Sequence, residues 1–171
     1  MIDFSEEQIA ARELRNTAYH EAGHKMVYER FGGAGDAVVW KNESGNPDES
    51  AWLGQFRPRT CPEEMRKAAL NHGFAAPELP ANWKMLVGMA GMLAEEVLSG
   101  ETDDTGAMAD SLVLKISFGE ASASDLALMG ITDIDSCELS YEAVDEVVRM
   151  LREGWPAVQE EAPYLTKSAA N

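Results

Sequence analysis

The stretch AYHEAGHKMVYERFGG, residues 18 to 33, decides how the rest of the chain is read. Only three histidines occur in the sequence, and two of them, His20 and His24, stand here four positions apart with Glu21 beside the first. The segment has its own helix signals. SEEQ at 5 to 8 has the spacing of a capping box with acids in the first turn, so a helix is expected from Ser5 to about Phe31, stopped by Gly32 and Gly33. Residues i and i+4 share one helix face, so His20 and His24 can offer two imidazole nitrogens to a single ion. Glu21 projects about one hundred degrees away from His20, where it reaches a water on that ion without being a ligand. Gly23 lies inside the same turn and costs about 1 kcal/mol in a helix interior, which implies that another part of the chain approaches closely there.

Composition bounds what such a site can serve. The length of 171 residues with 45% hydrophobic content suits one compact domain, expected over residues 1 to 171 with the small, polar tail TKSAAN at 166 to 171 disordered. A formal net charge of -16 repels phosphate backbones and anionic headgroups, so neither nucleic acid nor a membrane surface is an expected partner. Cys61 and Cys137 form no CxxC pair and read as packing residues of a reducing compartment. The opening MIDFSEEQIA lacks the basic-then-apolar order of a secretory signal, and the apolar run MLVGMAGMLA at 85 to 94 is about half a membrane span; a cytoplasmic protein is the expectation.

Beyond the first helix, DAVVW at 36 to 40 and AWLGQFR at 51 to 57 read as two strands joined by the turn-rich KNESGNPDES. CPEEMRKAALNHG reads as a short helix with Pro62 at its first position, His72 near its end in a capping role and Gly73 beyond it, followed by the link FAAPELPAN. NWKMLVGMAGMLAEEVLSG is apolar almost all round until Glu95 and Glu96, which predicts a buried central helix over 82 to 99 closed by Gly100. Short helical pieces follow, then the amphipathic SYEAVDEVVRMLREGW, with Pro156 ending or restarting the helix. The four tryptophans, Trp40, Trp52, Trp83 and Trp155, are expected to anchor the core. The fold class is therefore α+β, predominantly helical, with a small β-hairpin. No GxxxxGK[ST] loop is present.

HExxH is the pattern in which zinc acidifies a water and the glutamate takes its proton as that water attacks a peptide carbonyl. HEAGH, with alanine and glycine inside it, resembles the peptidase domain of FtsH-type zinc proteases. AWLGQFRP is similar to that family's strand around a Leu-Gly pair, and MAGMLAEEVLSGE to its AEE helix, with Met92 where arginine is usual. The likeness spans residues 16 to 130. It implies Zn2+ held by His20, His24 and an aspartate downstream of the AEE helix, with Glu21 as general base. Two aspartates compete for the third place. Asp110 in DTGAMAD stands at nearly the family's distance, whereas Asp125 in SASDL resembles the corresponding segment of short, stand-alone relatives; Asp125 is favoured because Asp110 lies within an amphipathic helix. Glu95 is the candidate to orient a ligating imidazole through its second nitrogen. Gly54 is the point where a substrate strand would approach the edge of WLGQF.

The family joins this domain to an ATPase and membrane helices, neither of which is seen in this sequence. The expectation is thus an ATP-independent zinc endopeptidase acting on peptides, unfolded segments or one partner protein, of unassigned oligomeric state. A catalytically silent, zinc-stabilised interaction module on the same fold is the alternative, and the intact Glu21 speaks against it.

Overall fold

The computed structural model describes residues 3–76 and 78–170. Met1, Ile2, Pro77 and Asn171 lie outside them, and with them the first two residues of the leader reading, one proline of the FAAPELPAN link and the last residue of the tail. The chain is α+β, with seven α-helices and one two-stranded antiparallel sheet among the described residues.

Helix α1 (Glu6–Arg30) opens on the capping box, in which the Gln8 N–H donates to Ser5 Oγ at 3.2 Å and the Ser5 N–H to Gln8 Oε1 at 2.9 Å. It stops where Gly32 takes a left-handed φ of 96°. Strands β1 (Ala34–Lys41) and β2 (Trp52–Thr60) then pair with Val39 opposite Gly54 and Trp40 opposite Leu53. The ten-residue polar loop between them is tied down at its end, because the Ala51 N–H donates to Glu13 Oε2 of α1 at 3.1 Å. Helices α2 (Pro62–Asn71), α3 (Trp83–Ser99), α4 (Thr105–Ser117), α5 (Ala123–Met129), α6 (Tyr141–Glu153) and α7 (Trp155–Ala169) complete the chain. No helix is long and apolar enough to cross a membrane among the described residues.

The apolar character of α3 has the expected consequence: Leu86, Met89, Ala90 and Leu93 are fully buried. Around them pack Val144, Val147 and Leu151 of α6, and Leu112 and Ile116 of α4. Burial of this kind contributes about 1.5–3 kcal/mol per large side chain. A second cluster joins Leu14, Ala18 and Ala22 of α1 to Val158 and Ala162 of α7 and to Ala37 and Val39 of the sheet. Helix α1 therefore lies between two cores, with its histidine face turned toward α3.

Three expectations need correction or completion. The tail is helical through Ala169, because α7 buries Leu165 in the second core and Thr166 Oγ1 donates to the Ala162 carbonyl. Trp40 is not a core anchor; it is 40% exposed, since the strand alternation that turns Ala37 and Val39 inward turns it outward. Pro156 restarts the helix, standing in the first turn of α7.

Gly23 meets the close approach that its place in a helix implied. A Cβ built there would lie 2.6 Å from Ala94 Cβ and 2.8 Å from the Ala90 carbonyl oxygen, so α1 and α3 touch backbone to backbone. Alanine at 23 gains about 1 kcal/mol of helix propensity but forces the two helices apart at a cost of about 1–3 kcal/mol. The Gly23→Ala protein is expected to unfold at lower urea than the native chain, with an unchanged m-value.

Candidate metal centre

Helices α1 and α3 run past one another so that three positions of α3 spaced four apart meet the histidine face. Val87, Gly91 and Glu95 form that stripe. At one end the His24 Nδ1–H donates to the Val87 carbonyl at 2.7 Å; a carbonyl only accepts, so the ring must carry its proton on Nδ1. At the other end His20 Nδ1 stands 2.8 Å from Glu95 Oε2, a carboxylate that fixes the same tautomer. Both imidazoles are thereby left with a bare lone pair on Nε2. These two atoms lie 3.1 Å apart, directly over Gly91, where a Cβ would come within 2.4 Å of one and 2.5 Å of the other.

Asp125 closes the group from a different element. Ser122 caps α5 by accepting the Asp125 N–H at 3.1 Å, and Gly88 lets α5 settle on α3, since a Cβ there would lie 2.7 Å from Met129 Cγ and 2.9 Å from Leu128 Cβ. The Asp125 carboxylate then bridges the rings, with Oδ2 3.0 Å from His20 Nε2 and Oδ1 3.1 Å from His24 Nε2. Asp110 is not part of the cluster. It is exposed on α4 and accepts the Tyr141 hydroxyl at 2.9 Å. The third histidine, His72, is the exposed C-cap residue of α2.

Four lone-pair acceptors thus face one another at hydrogen-bond distance, an arrangement that only a positive charge among them makes favourable. A proton answers it in part. Burial opposes the charged imidazolium of His20, but the hydrogen bonds and charges of Asp125 and Glu95 outweigh it and raise the His20 pKa well above 6.5. Burial likewise pushes Asp125 up, and its hydrogen bonds to His20 and His24 outweigh that, holding its carboxyl below the usual carboxylate range. A divalent metal ion answers the demand more completely. Donors about 2.0–2.1 Å from a tetrahedral ion stand roughly 3.3 Å apart, close to the spacing here. His20, His24 and Asp125 each offer one ligand atom within 4.8 Å of the others. Two imidazoles and a carboxylate suit zinc and its neighbours, and the Nδ1 partners are the kind that orient such ligands.

Glu21 faces the same space. It is 6% exposed, and its carboxylate takes no hydrogen bond from a described residue. Burial raises its pKa, while the neighbouring His20 and His24 act in the opposite direction. Strand β2 passes directly over it, for a Cβ at Gly54 would stand 2.6 Å from Glu21 Cγ and 2.7 Å from Oε1. Between this strand and α3 opens a cleft of about 350 Å³, floored by His20 and Glu21, with Leu53 on one wall and Met92 and Lys115 on the other.

The structure brings together His20, Glu21, His24, Gly54, Glu95 and Asp125, six residues drawn from four elements. Sequence reasoning missed Gly91, Gly88 and the Val87 carbonyl. It also missed Lys115, whose ammonium pairs with Glu96 Oε1 at 2.9 Å beside the Ser111 hydroxyl. The signal for the glycines was present, since GMAG inside an apolar helix raises the same question as Gly23. No protein-family model matches the chain, and no match was found among curated proteins.

Proposed function

We propose that this chain is a zinc metallopeptidase of the kind that HEAGH and the AEE helix resemble in FtsH-type proteases, with a peptidase-like fold built around α1. What supports the reading is the convergence of two Nε2 lone pairs and the Asp125 carboxylate at 3.0–3.1 Å, with a buried, unpartnered Glu21 beside them at the floor of a cleft.

His20, His24 and Asp125 would hold the ion. When bound, zinc supplies an acidified water and a Lewis acid for the scissile carbonyl. Glu21 accepts the proton of the attacking water on its carboxylate and returns it to the departing amine, a role open to it because no described residue engages its oxygens in an ion pair or hydrogen bond. Glu95 keeps the His20 ring facing inward, and the Val87 carbonyl does the same for His24. The edge of β2 offers main-chain groups to an extended peptide, and at Gly54 no side chain separates that peptide from Glu21.

The test is metal content measured together with peptide cleavage. The native chain and Asp110→Ala are expected to carry one zinc per chain and to cleave an unstructured peptide, whereas Asp125→Ala carries almost none and cleaves nothing. Zinc retained by Asp125→Ala, or lost from Asp110→Ala, removes the ligand set. Cleavage that survives a chelator removes the zinc peptidase.

A further inference from the structure

The charges lining the cleft are not balanced. Lys115 is its cation, but the ammonium is engaged by Glu96 Oε1 at 2.9 Å, and the Ser111 hydroxyl donates to that same oxygen at 2.7 Å. Glu95 is tied to His20, and Glu21 lies buried and unpartnered beneath Gly54, facing the cleft. Glu120 differs from both. It stands exposed at the rim, and its carboxylate forms no hydrogen bond or ion pair with a described residue. Its backbone is nonetheless fixed. Helix α4 closes on Gly119 with a φ of 76°, the Glu120 N–H donating to the Lys115 carbonyl at 2.9 Å and the Gly119 N–H to that of Ile116 at 3.0 Å. The same short turn leads into Ser122, the cap of the helix that carries Asp125.

Of the four carboxylates at the cleft and its floor, Glu21, Glu95, Glu120 and Asp125, a divalent cation offsets two, while Lys115 is already paired with Glu96. The opening stays negative in the metal-loaded state. Its walls are apolar at Trp52, Leu53 and Met92, the surface along which the methylene stem of a long cationic side chain lies well.

From this we propose that the cleft selects peptide segments bearing a lysine or arginine side chain, and that Glu120 receives the cation. The inference rests on the reading above in taking a peptide as the occupant. It adds which peptide. Because Glu120 is fixed by the backbone and feels Lys115 only at longer range, with no hydrogen bond or ion pair to a described residue, an incoming ammonium or guanidinium finds a partner without breaking a direct contact.

Fluorescence anisotropy of labelled, unstructured peptides that differ only in one central residue, lysine or glutamate, tests this on the zinc-loaded Glu21→Gln chain, in which turnover is slowed by loss of the base. The lysine peptide is expected to bind about tenfold tighter at low ionic strength, the margin narrowing as added salt shortens the screening length. Glu120→Lys, introduced into the same chain, abolishes or reverses the preference. Glu160→Lys makes the same change of charge on the exposed face of α7, away from the cleft, and keeps the preference. Equal binding of the two peptides, equal loss in Glu160→Lys, or no binding of either peptide at millimolar concentration overturns the inference. A lysine preference in binding, with no hydrolysis by the zinc-loaded native chain, keeps the selectivity and removes the peptidase.

Discussion

Glu21→Gln is expected to keep one zinc per chain and to lower kcat for peptide hydrolysis about 10²- to 10⁴-fold, the range for loss of a positioned general base, or about 2.7–5.5 kcal/mol of barrier. The substitution is close to isosteric, so the packing under Gly54, where backbone and carboxylate already meet without spare room, is retained. What disappears is the capacity to accept a proton. The amide also lacks the charge that burial opposes, so the variant is expected to unfold no earlier than the native chain. Loss of rate therefore cannot be put down to loss of fold. The outcome separates the two readings of this centre. A zinc-stabilised interaction module has no use for a base beside its ion, and a zinc-loaded Glu21→Gln chain that cleaved at the native rate would leave only that alternative. Metal content and turnover have to be read on the same sample, because a fall in both at once would report on the ligands instead.

The parts of this site that were legible in the sequence are those encoded locally. His20, Glu21 and His24 follow from helical spacing alone, and the capping box at Ser5 and the stop at Gly32 bound the helix that carries them. Gly23 was legible for a related reason, because a glycine in a helix interior needs a justification and close packing on α3 supplies it. Asp125 was harder. Its identity depends on which of two segments after the AEE helix packs back toward α1, and that is decided by contacts between Gly88 and α5, which no local pattern reports. Resemblance to a family segment and the amphipathic-helix reading around Asp110 both favoured Asp125, and it lies beside both rings whereas Asp110 does not. Glu95 and Glu96 show the same limit from the other side. Adjacent on one helix, they point about one hundred degrees apart, so one meets His20 and the other meets Ser111 and Lys115. The exposed Trp40 and the helical tail were misjudged because each depends on tertiary packing that residue type alone does not encode.

Gly91→Ala is expected to weaken zinc binding about 100-fold while leaving the helical content intact, the upper range for disturbing the groups that hold metal ligands. Intrinsic propensity argues the other way, since alanine improves a helix by about 1 kcal/mol over glycine, and that conflict is what makes the variant informative. The new Cβ would sit 2.4 Å from His20 Nε2 and 2.5 Å from His24 Nε2, the two atoms that would bind the ion. The rings have no simple way to withdraw, because both are held from behind by α3 itself, His24 by the Val87 carbonyl and His20 by Glu95. To admit a methyl group at 91, either α1 lifts from α3, against the contact of Gly23 with Ala90 and Ala94, or the imidazoles turn and give up their Nδ1 partners. Each route spoils the convergence of lone pairs. The readout is stability with and without metal. At a thousandfold excess over Kd, zinc stabilises the native chain by about 4.1 kcal/mol, and a site 100-fold weaker gains only about 1.4 kcal/mol from the same concentration. The metal-free variant is expected to remain folded, so a missing zinc increment in an otherwise cooperative unfolding curve places the damage at the rings. Native zinc affinity in Gly91→Ala would mean that the loaded imidazoles do not lie over this glycine, and the geometry on which the centre is built would have to be abandoned.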